Sequence, residues 1–239
     1  MKKRRLIKIY WILLLLGIIS FFSLFILAGN GYFGEMPEFE QLENPNTNLA
    51  TQIISSDGEI LGKYYFNDNR TPITYKEIPS NLVNALIATE DERFYSHPGI
   101  DVRSTIRAIV FLNKRGGAST ISQQLARQLF VGVRARSFSQ AVLQKAKEWV
   151  LALQIEKRYT KSEIIAMYLN IYDFNNNADG VRSAAKIYLN KTPDSLLIED
   201  AAMLVGMLKN SSLYDPRKRP ELVLERRNVV FQQMFRNEM

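Results

Sequence analysis

The first 28 residues divide into a basic end and a long apolar run. Residues 1–8 carry five Lys and Arg side chains, whereas residues 9–28 contain no charged side chain. A helix of about 20 residues is about 30 Å long and therefore matches the hydrocarbon core of a bilayer. The pattern predicts a cytoplasmic basic tail over 1–8 and a transmembrane anchor over 9–28, with the following residues outside by the positive-inside rule. A cleaved signal peptide is the alternative, which the length of the run disfavours.

Beyond this run the pattern is first irregular, then strand-like and then helical. Residues 29–49 contain two prolines and several asparagines and are a predicted linker. Two β-prone runs around an Asp-Gly turn predict a small juxtamembrane β-hairpin over 51–66. From Pro79 onward, apolar residues recur with helical spacing. We therefore expect a mainly α domain over residues 50–239.

Three predicted helices begin at residues whose side chains accept hydrogen bonds from free backbone N–H groups. Asp101 precedes one helix and is a predicted N-cap. Thr120-x-x-Gln123 and Thr160-x-x-Glu163 have the spacing of a capping box, in which the third residue also bonds back to the cap.

A long helix is predicted over about 139–158. Helical spacing predicts one core-facing stripe, which consists of Val142, Ala146, Trp149, Val150 and Leu153. Glu148 lies on a second face with three apolar residues, which are Leu151, Ala152 and Ile155. We therefore expect the carboxyl of Glu148 to be partly desolvated, with Lys145 as a partner one turn away. A Glu–Lys pair at the surface is the alternative.

Composition excludes several classes of function. The net charge of +7 is typical of nucleic-acid binding, but five of the 31 Lys and Arg residues lie in the basic tail, which leaves 26 against 24 Asp and Glu. The body is nearly neutral, so we expect no nucleic-acid partner. The absence of cysteine and the single histidine exclude a disulfide, a thiol nucleophile and a zinc site built from several histidines.

The apolar helix that is predicted after Pro79 ends in an acidic stretch. Residues 88–101 contain three adjacent acids, Glu90 to Glu92, and the single histidine, His97. A helix C-terminus disfavours carboxylates, so either the turn is solvated or a site requires them. From its third residue the stretch reads Glu-Asp-x-x-Phe-x-x-His-x-Gly-x-Asp. It resembles the first signature of the peptidoglycan glycosyltransferases (glycosyltransferase family 51), which occur as monofunctional enzymes and as domains of class A penicillin-binding proteins.

A second region resembles the same family. Residues 117–130 are similar to the signature Gly-x-Ser-Thr-Ile-Thr-Gln-Gln-Leu-x-Lys-Asn, with Ser122, Arg127 and Gln128 as departures. Arginine in place of lysine keeps a cation for phosphate.

Three further regions follow in the family's order. Residues 144–148 resemble Arg-Lys-x-x-Glu, with Gln144 in place of the arginine. Residues 161–191 resemble the fourth signature, although 172–179 carry three asparagines where the family has glycines. Residues 199–228 resemble the fifth. The resemblance therefore covers the chain from about residue 50 to 238.

The resemblance implies a lysozyme-like helical glycosyltransferase domain that polymerises lipid II. The 4-hydroxyl of the acceptor GlcNAc attacks C1 of the MurNAc at the reducing end of the growing strand, inverts that carbon and expels undecaprenyl diphosphate. The implied partners are lipid II, the growing glycan strand, the membrane and other cell-wall synthesis proteins. The implied location is the bacterial cytoplasmic (inner) membrane, with one span and an extracytoplasmic catalytic domain.

The resemblance also implies roles for single residues. Glu90 and Glu148 are the expected catalytic residues, with Glu90 as the base for the attacking hydroxyl. Glu148 assists departure of the diphosphate or holds a divalent cation, Mg or Mn. The expected substrate-binding residues are Asp91, Ser119, Thr120, Gln123, Gln124, Arg127, Lys145 and Lys209. Asp91 is also expected to orient Glu90, and His97 to be structural.

Two other classes of function remain open. A lysozyme-like enzyme that cleaves peptidoglycan would share a helical body and a catalytic glutamate. The cations suited to a diphosphate and the anchor favour synthesis instead. A non-catalytic anchored scaffold is suggested by Gln144 and by the altered residues 172–179, and is disfavoured by the retention of both glutamates.

Overall fold

The computed structural model describes residues 2–32, 51–57, 60–64, 71–111, 117–131 and 135–239. Within these ranges the chain is mainly helical, as predicted. The elements are α1 (Lys2–Gly29), β1 (Thr51–Ile54), β2 (Ile60–Tyr64), α2 (Ser80–Glu90), α3 (Val102–Val110), α4 (Ile121–Ala126) with its π-helical continuation Arg127–Val131, α5 (Phe138–Arg158), α6 (Lys161–Ile171), α7 (Gly180–Ala184) with its π-helical continuation Ala185–Leu189, α8 (Ile198–Met207) and α9 (Pro220–Arg236). Most of the predicted linker 29–49 lies outside the described residues, as does Gly58 of the predicted turn.

The N-terminal helix α1 contains the predicted anchor. Its segment Arg4–Gly29 has 26 residues and a mean hydropathy of 2.7, so it is long and apolar enough to cross a membrane. Near its C-terminal end, the ring of Phe25 stacks on Trp149 of α5 with the centroids 5.4 Å apart.

The two short strands form one small antiparallel sheet. Thr51 lies opposite Tyr64 and Ile53 opposite Gly62, and the register is irregular after Ile53. A two-stranded sheet is only marginally stable by itself, so the helices must supply the stability of the domain.

The core lies mainly among α2, α4, α6 and α8. Its completely buried large side chains include Leu82, Leu86, Ile121, Leu125, Ile164, Ile165 and Tyr168. Helix α9 packs against α2 and α8. Just after α9, Asn237 Nδ2 donates a hydrogen bond to the carbonyl oxygen of Ala88 at 3.3 Å. The C-terminal helix is thereby joined to the end of α2.

The prediction of which residues of α5 face the core is wrong except at Ala146. Val142 is exposed and Trp149, Val150 and Leu153 are only partly buried, whereas the buried residues of α5 are Ala146, Glu148, Leu151, Ala152 and Ile155. Helix α4 packs against α5, and α1 also contacts α5 through the stacked Phe25 and Trp149. Helical periodicity alone cannot rank two apolar faces when a distant helix such as α1 packs against one of them.

The predicted helix caps are present, with one difference. Asp101 accepts the N–H of the residue three positions on, and the capping box at Thr160 is complete. Thr120 accepts the backbone N–H of Gln123 at 3.2 Å. The Gln123 side chain donates to the carbonyl oxygen of Gly99 instead of bonding back to the cap. The box at Thr120 is therefore only half formed.

Residues 172–179 form a tight loop with unusual backbone angles. The φ angles of Asn175, Asn176 and Asn177 are 70°, 53° and 60°. Among residues with a side chain, asparagine is one of the few that enter this left-handed region readily, which explains how asparagines replace glycines here. Asn176 Nδ2 also donates to Asp215 at 3.0 Å, so the loop is held by a buried carboxylate.

Candidate active site

A cleft of about 430 Å³ opens beside the C-terminal end of α2. Its walls come from α2, from the approach to α4, from the segment after α8 and from α9. The cleft brings together a group of the predicted site residues, which are Glu90, Asp91, Ser119, Thr120, Gln124 and Lys209.

Glu90 is the last residue of α2 and lines this cleft. Gln124 Nε2 donates to its Oε2 at 2.9 Å, and Arg226 Nη2 lies 3.9 Å from its Oε1. Burial raises the pKa of Glu90, and this effect outweighs the hydrogen bond from Gln124 and the charge of Arg226, which both lower it. A carboxylate of raised basicity beside a cleft is suited to accept a proton from a hydroxyl group.

Asp91 is buried and joins two signature segments. Its Oδ2 accepts the backbone N–H of Ile121 at 3.0 Å, and its Oδ1 lies 2.9 Å from Nε2 of His97. The N–H of Gly99 donates to Nδ1 of His97, so Nε2 carries the hydrogen and donates to Asp91. Both oxygens of Asp91 are thus engaged with protein groups, and the residue reaches the cleft as part of its wall.

Thr120 and Gln123 point toward the loop of the first signature that contains His97 and Gly99. Thr120 Oγ1 donates to the carbonyl oxygen of Gly99 at 2.6 Å, and Gln123 Nε2 donates to the same oxygen at 3.4 Å. Gly99 has a φ of +96°, and a Cβ there would lie 2.9 Å from the carbonyl oxygen of Ala152. These two side chains, expected to contact substrate, therefore hold the loop that carries His97, although Thr120 also forms part of the cleft wall.

The second acid, Glu148, is buried on α5 between two cations. Arg127 donates through Nε to Oε1 at 2.6 Å and through Nη2 to Oε2 at 3.0 Å, and Lys145 Nζ donates to Oε2 at 2.9 Å. Burial alone would raise the pKa of Glu148, but the hydrogen bond from Arg127 and the charge of Lys145 lower it overall. The predicted desolvation and the predicted Lys145 partner are confirmed. The three charges sum to one positive charge, which suits a phosphate group.

Ser119 connects this charged cluster to the cleft. Lys145 Nζ donates to Ser119 Oγ at 2.9 Å, and Ser119 lines the cleft. Gln124 and Arg127 lie three residues apart on the continuous helical stretch of α4, so they project from one side of it. Through these two residues the same helical stretch contacts both Glu90 and Glu148.

Residues 57–235 match the family model described as Transglycosylase. The chain belongs to the transglycosylase family. The resemblance to the peptidoglycan glycosyltransferases, drawn from five ordered signatures, is thereby confirmed.

Relatives of this transglycosylase chain are penicillin-binding proteins. Penicillin-binding protein 1A of Pseudomonas aeruginosa is 35% identical over 97% of this chain and 28% of its own length. Penicillin-binding protein 1A of Escherichia coli is 38% identical over 84% of this chain and 23% of its own length. The crystal structure of penicillin-binding protein 1A from Haemophilus influenzae is similar with a TM-score of 0.39 and 19% identity, over 79% of this chain and 18% of that chain. The transglycosylase chain spans about a quarter of the length of the two curated relatives.

Arg226 and Tyr168 lie next to predicted site residues but are outside the predicted set. Arg226, on α9, approaches Glu90, and its Nε donates to the carbonyl oxygen of Gly206 at 3.4 Å. Tyr168, on α6, donates through its hydroxyl to Gln124 Oε1 at 2.9 Å. Arg226 lies in the fifth signature and Tyr168 in the fourth. Their place in a signature was the only sequence signal for them, and it does not indicate which neighbour each one contacts.

The residues around Glu148 do not fit a divalent cation well. Both of its oxygens accept hydrogen bonds from positive side chains. Mg and Mn take several oxygen ligands, and the described part of the transglycosylase chain holds no group of three His, Asp or Glu side chains that could bind a metal ion. The expected role of Glu148 as a ligand of Mg or Mn stays a prediction that this donor set disfavours.

Proposed function

We propose that this chain is a membrane-anchored peptidoglycan glycosyltransferase that polymerises lipid II into β-1,4 glycan strands, with inversion at MurNAc C1 and release of undecaprenyl diphosphate. The observation that carries the proposal is that one helical stretch, α4 with its continuation, contacts two acids in different environments, Glu90 through Gln124 and Glu148 through Arg127. Glu90 lines a polar cleft with raised basicity, and Glu148 is held ionised between two cations. Proton removal and diphosphate departure need these two environments.

In the proposed reaction Glu90 accepts the proton of the acceptor 4-hydroxyl. The oxygen of that hydroxyl forms a bond to C1 of the donor MurNAc from the face opposite the diphosphate. The bond between C1 and the diphosphate oxygen breaks, and its electron pair leaves with the undecaprenyl diphosphate. Gln124 keeps Glu90 oriented through the hydrogen bond of 2.9 Å to Oε2.

The leaving diphosphate is proposed to be stabilised by Arg127, Lys145 and Lys209. Charge-assisted hydrogen bonds to phosphate oxygens are about twice as strong as neutral ones, and they act here where negative charge develops. Burial lowers the pKa of Lys145, and Glu148 counteracts this effect. Glu148 therefore helps to keep Lys145 protonated, and its proposed role is to hold the two cations in position.

The membrane location belongs to the same proposal. We infer a single span by α1, a juxtamembrane hairpin of β1 and β2, and a lysozyme-like domain at the outer face of the bacterial cytoplasmic membrane. An apolar stripe on α3 supports this placement, since Val102, Ile106 and Val110 follow one another at every fourth position and are 63%, 57% and 65% exposed. The proposed partners are lipid II, the growing glycan strand and other cell-wall synthesis proteins.

The test is turnover of labelled lipid II by the detergent-solubilised chain. Wild type should produce polymer, Glu90→Gln should lose about a hundredfold or more of the rate, and Glu148→Gln should be similarly impaired. Glu225→Gln, an exposed glutamate on α9, is the matched control and should retain wild-type activity.

Other outcomes would identify the alternatives. Release of small muropeptides from preformed peptidoglycan, without polymer from lipid II, would establish the cleaving enzyme. A folded wild-type chain that neither makes polymer nor cleaves peptidoglycan, across detergents and with or without Mg or Mn, would favour the scaffold.

A further inference from the structure

The side-chain amide of Gln124 lies between a hydrogen-bond acceptor, the carboxylate of Glu90, and a hydrogen-bond donor, the hydroxyl of Tyr168. Its Nε2 donates to Glu90 Oε2 at 2.9 Å, and its Oε1 accepts the hydroxyl hydrogen of Tyr168 at 2.9 Å. An amide can turn over by 180°, which exchanges its oxygen and its nitrogen. In the turned orientation the amide oxygen would face the carboxylate of Glu90, and two acceptors would repel each other.

Tyr168 is placed to prevent that rotation. It lies on α6 and is completely buried, so its hydroxyl needs a partner inside the protein. Burial and the negative charge of Glu90 raise the pKa of Tyr168 well above its ordinary value. The hydroxyl therefore stays protonated over the whole working pH range and remains available as a donor to Oε1.

We propose that Tyr168 is a positioning residue of the active site, whose hydroxyl fixes the orientation of the Gln124 amide and so holds a hydrogen-bond donor on Glu90. Tyr168 touches neither substrate nor Glu90 in this role and acts through Gln124. Calling Glu90 the base rests on the proposed function, whereas the link from Tyr168 to Glu90 does not.

Several other groups also act on Glu90 and must stay constant in a test. Asp91, next to it in the chain, raises its pKa. Arg226 on α9 and Lys209 after α8 lower its pKa through their charges. None of these groups donates to Oε2 in the structure. Changing only Tyr168 or Gln124 therefore isolates the contribution of the Gln124 donor to the pKa of Glu90.

The direct experiment is a titration of Glu90 that needs no turnover. The detergent-solubilised full chain is labelled with ¹³C at glutamate carboxyl groups, and Glu90→Gln assigns the signal of Glu90. In Tyr168→Phe the donor on Glu90 is no longer held, so the titration midpoint of Glu90 should move to higher pH. Tyr188→Phe, which removes a hydroxyl that donates to the carbonyl oxygen of Phe174, should leave the midpoint at its wild-type position.

A double-mutant cycle tests whether Tyr168 acts through Gln124. In a Gln124→Leu background the amide is absent, so adding Tyr168→Phe should not move the midpoint further. The same shift with and without Gln124 would overturn the proposal, as would an unchanged midpoint in Tyr168→Phe alone. If Tyr168→Phe does not fold, Gln124→Leu alone provides the second variant, because it removes the amide donor to Glu90 without adding a charge; a midpoint equal to wild type would then overturn the proposal.

Turnover of lipid II supplies a second readout. On the acidic side of the pH profile, the kcat of Tyr168→Phe should be about fivefold lower than that of wild type, the factor typical of one lost hydrogen bond. The kcat should approach the wild-type value toward alkaline pH. A loss that is equal at all pH values would indicate a general structural effect and contradict the positioning role. If the wild-type chain made no polymer, the proposed function would fail while the titration would still decide the link.

Discussion

The carboxylate of Asp91 accepts a hydrogen bond from the backbone N–H of Ile121 at 3.0 Å. Asp91 directly follows the last residue of α2, and Ile121 is the first residue of α4. A negative charge at a helix N-terminus is favourable because the first N–H groups have no partners within the helix. This bond therefore holds Glu90 beside Gln124 although neither residue takes part in it.

Replacement of Asp91 by asparagine should weaken both the fold and the site. An amide has one oxygen, so either Ile121 or His97 loses its acceptor in a buried position, at a cost of about 1–3 kcal/mol. Urea unfolding of the detergent-solubilised chain measures the stability, and lipid II turnover measures the site. Asp194→Asn, at an exposed turn, is the control. Equal stability of Asp91→Asn and wild type would show that the link is unimportant.

The rate of polymerisation should fall on the acidic side at a higher pH than an ordinary glutamate would give. A base accepts a proton only when it is ionised, and burial raises the pKa of Glu90. Glu148 should not produce this decline, because Arg127 and Lys145 lower its pKa and keep it ionised. A profile of kcat/KM against pH tests this expectation, and a decline only within the usual range of exposed carboxylates would contradict it.

Arg226→Met should move that acidic decline to still higher pH. The positive charge of Arg226, 3.9 Å from Glu90, lowers the pKa of the carboxyl, so its removal lets burial act with less opposition. At a pH on the decline, the rate should drop about three- to tenfold, as expected for a partly buried pair worth about 1 kcal/mol. The pH profile of Arg226→Lys should lie between those of wild type and Arg226→Met. Arg227→Met, at the neighbouring position, is the control and should keep the wild-type profile.

Loss of Lys145 should affect the proposed diphosphate site more than the fold. Lys145→Met leaves Glu148 paired with Arg127, so the cost in stability should be about 1–2 kcal/mol, less than for a fully buried pair because Lys145 is 35% exposed. We expect kcat/KM for lipid II to fall about a hundredfold, since a cation aimed at the developing charge is lost. Lys157→Met, at an exposed position of α5, should leave turnover unchanged. An unaltered kcat/KM in Lys145→Met would remove this residue from the proposed site.

Local sequence patterns predicted much of this molecule. The apolar residues of α2 are buried as expected, and the desolvation of Glu148 followed from its apolar neighbours at helical spacing. Both predictions depend on residues within one helix. Such patterns are informative because the core selects for side chains at a fixed angular spacing.

Contacts between distant elements could not be predicted in the same way. The inward orientation of Thr120 and Gln123 depends on the position of Gly99, which the packing of α5 determines. Tyr168 and Gln124 are 44 positions apart, and no local pattern assigns them to each other. The sequence around 172–179 showed a departure from the family, but only the backbone angles reveal that the asparagines adopt the left-handed conformation that glycines would otherwise provide.

The bond between Asn237 and the carbonyl oxygen of Ala88 joins residues that are 149 positions apart. In a chain of the proposed topology, α2 is exported long before α9 reaches the outer side of the membrane. The end of α2 would then lack its contacts with Asn237 and Arg226 until α9 has also been translocated. The order of export would thus delay assembly of the base and keep the nascent chain from polymerising lipid II before the domain is complete.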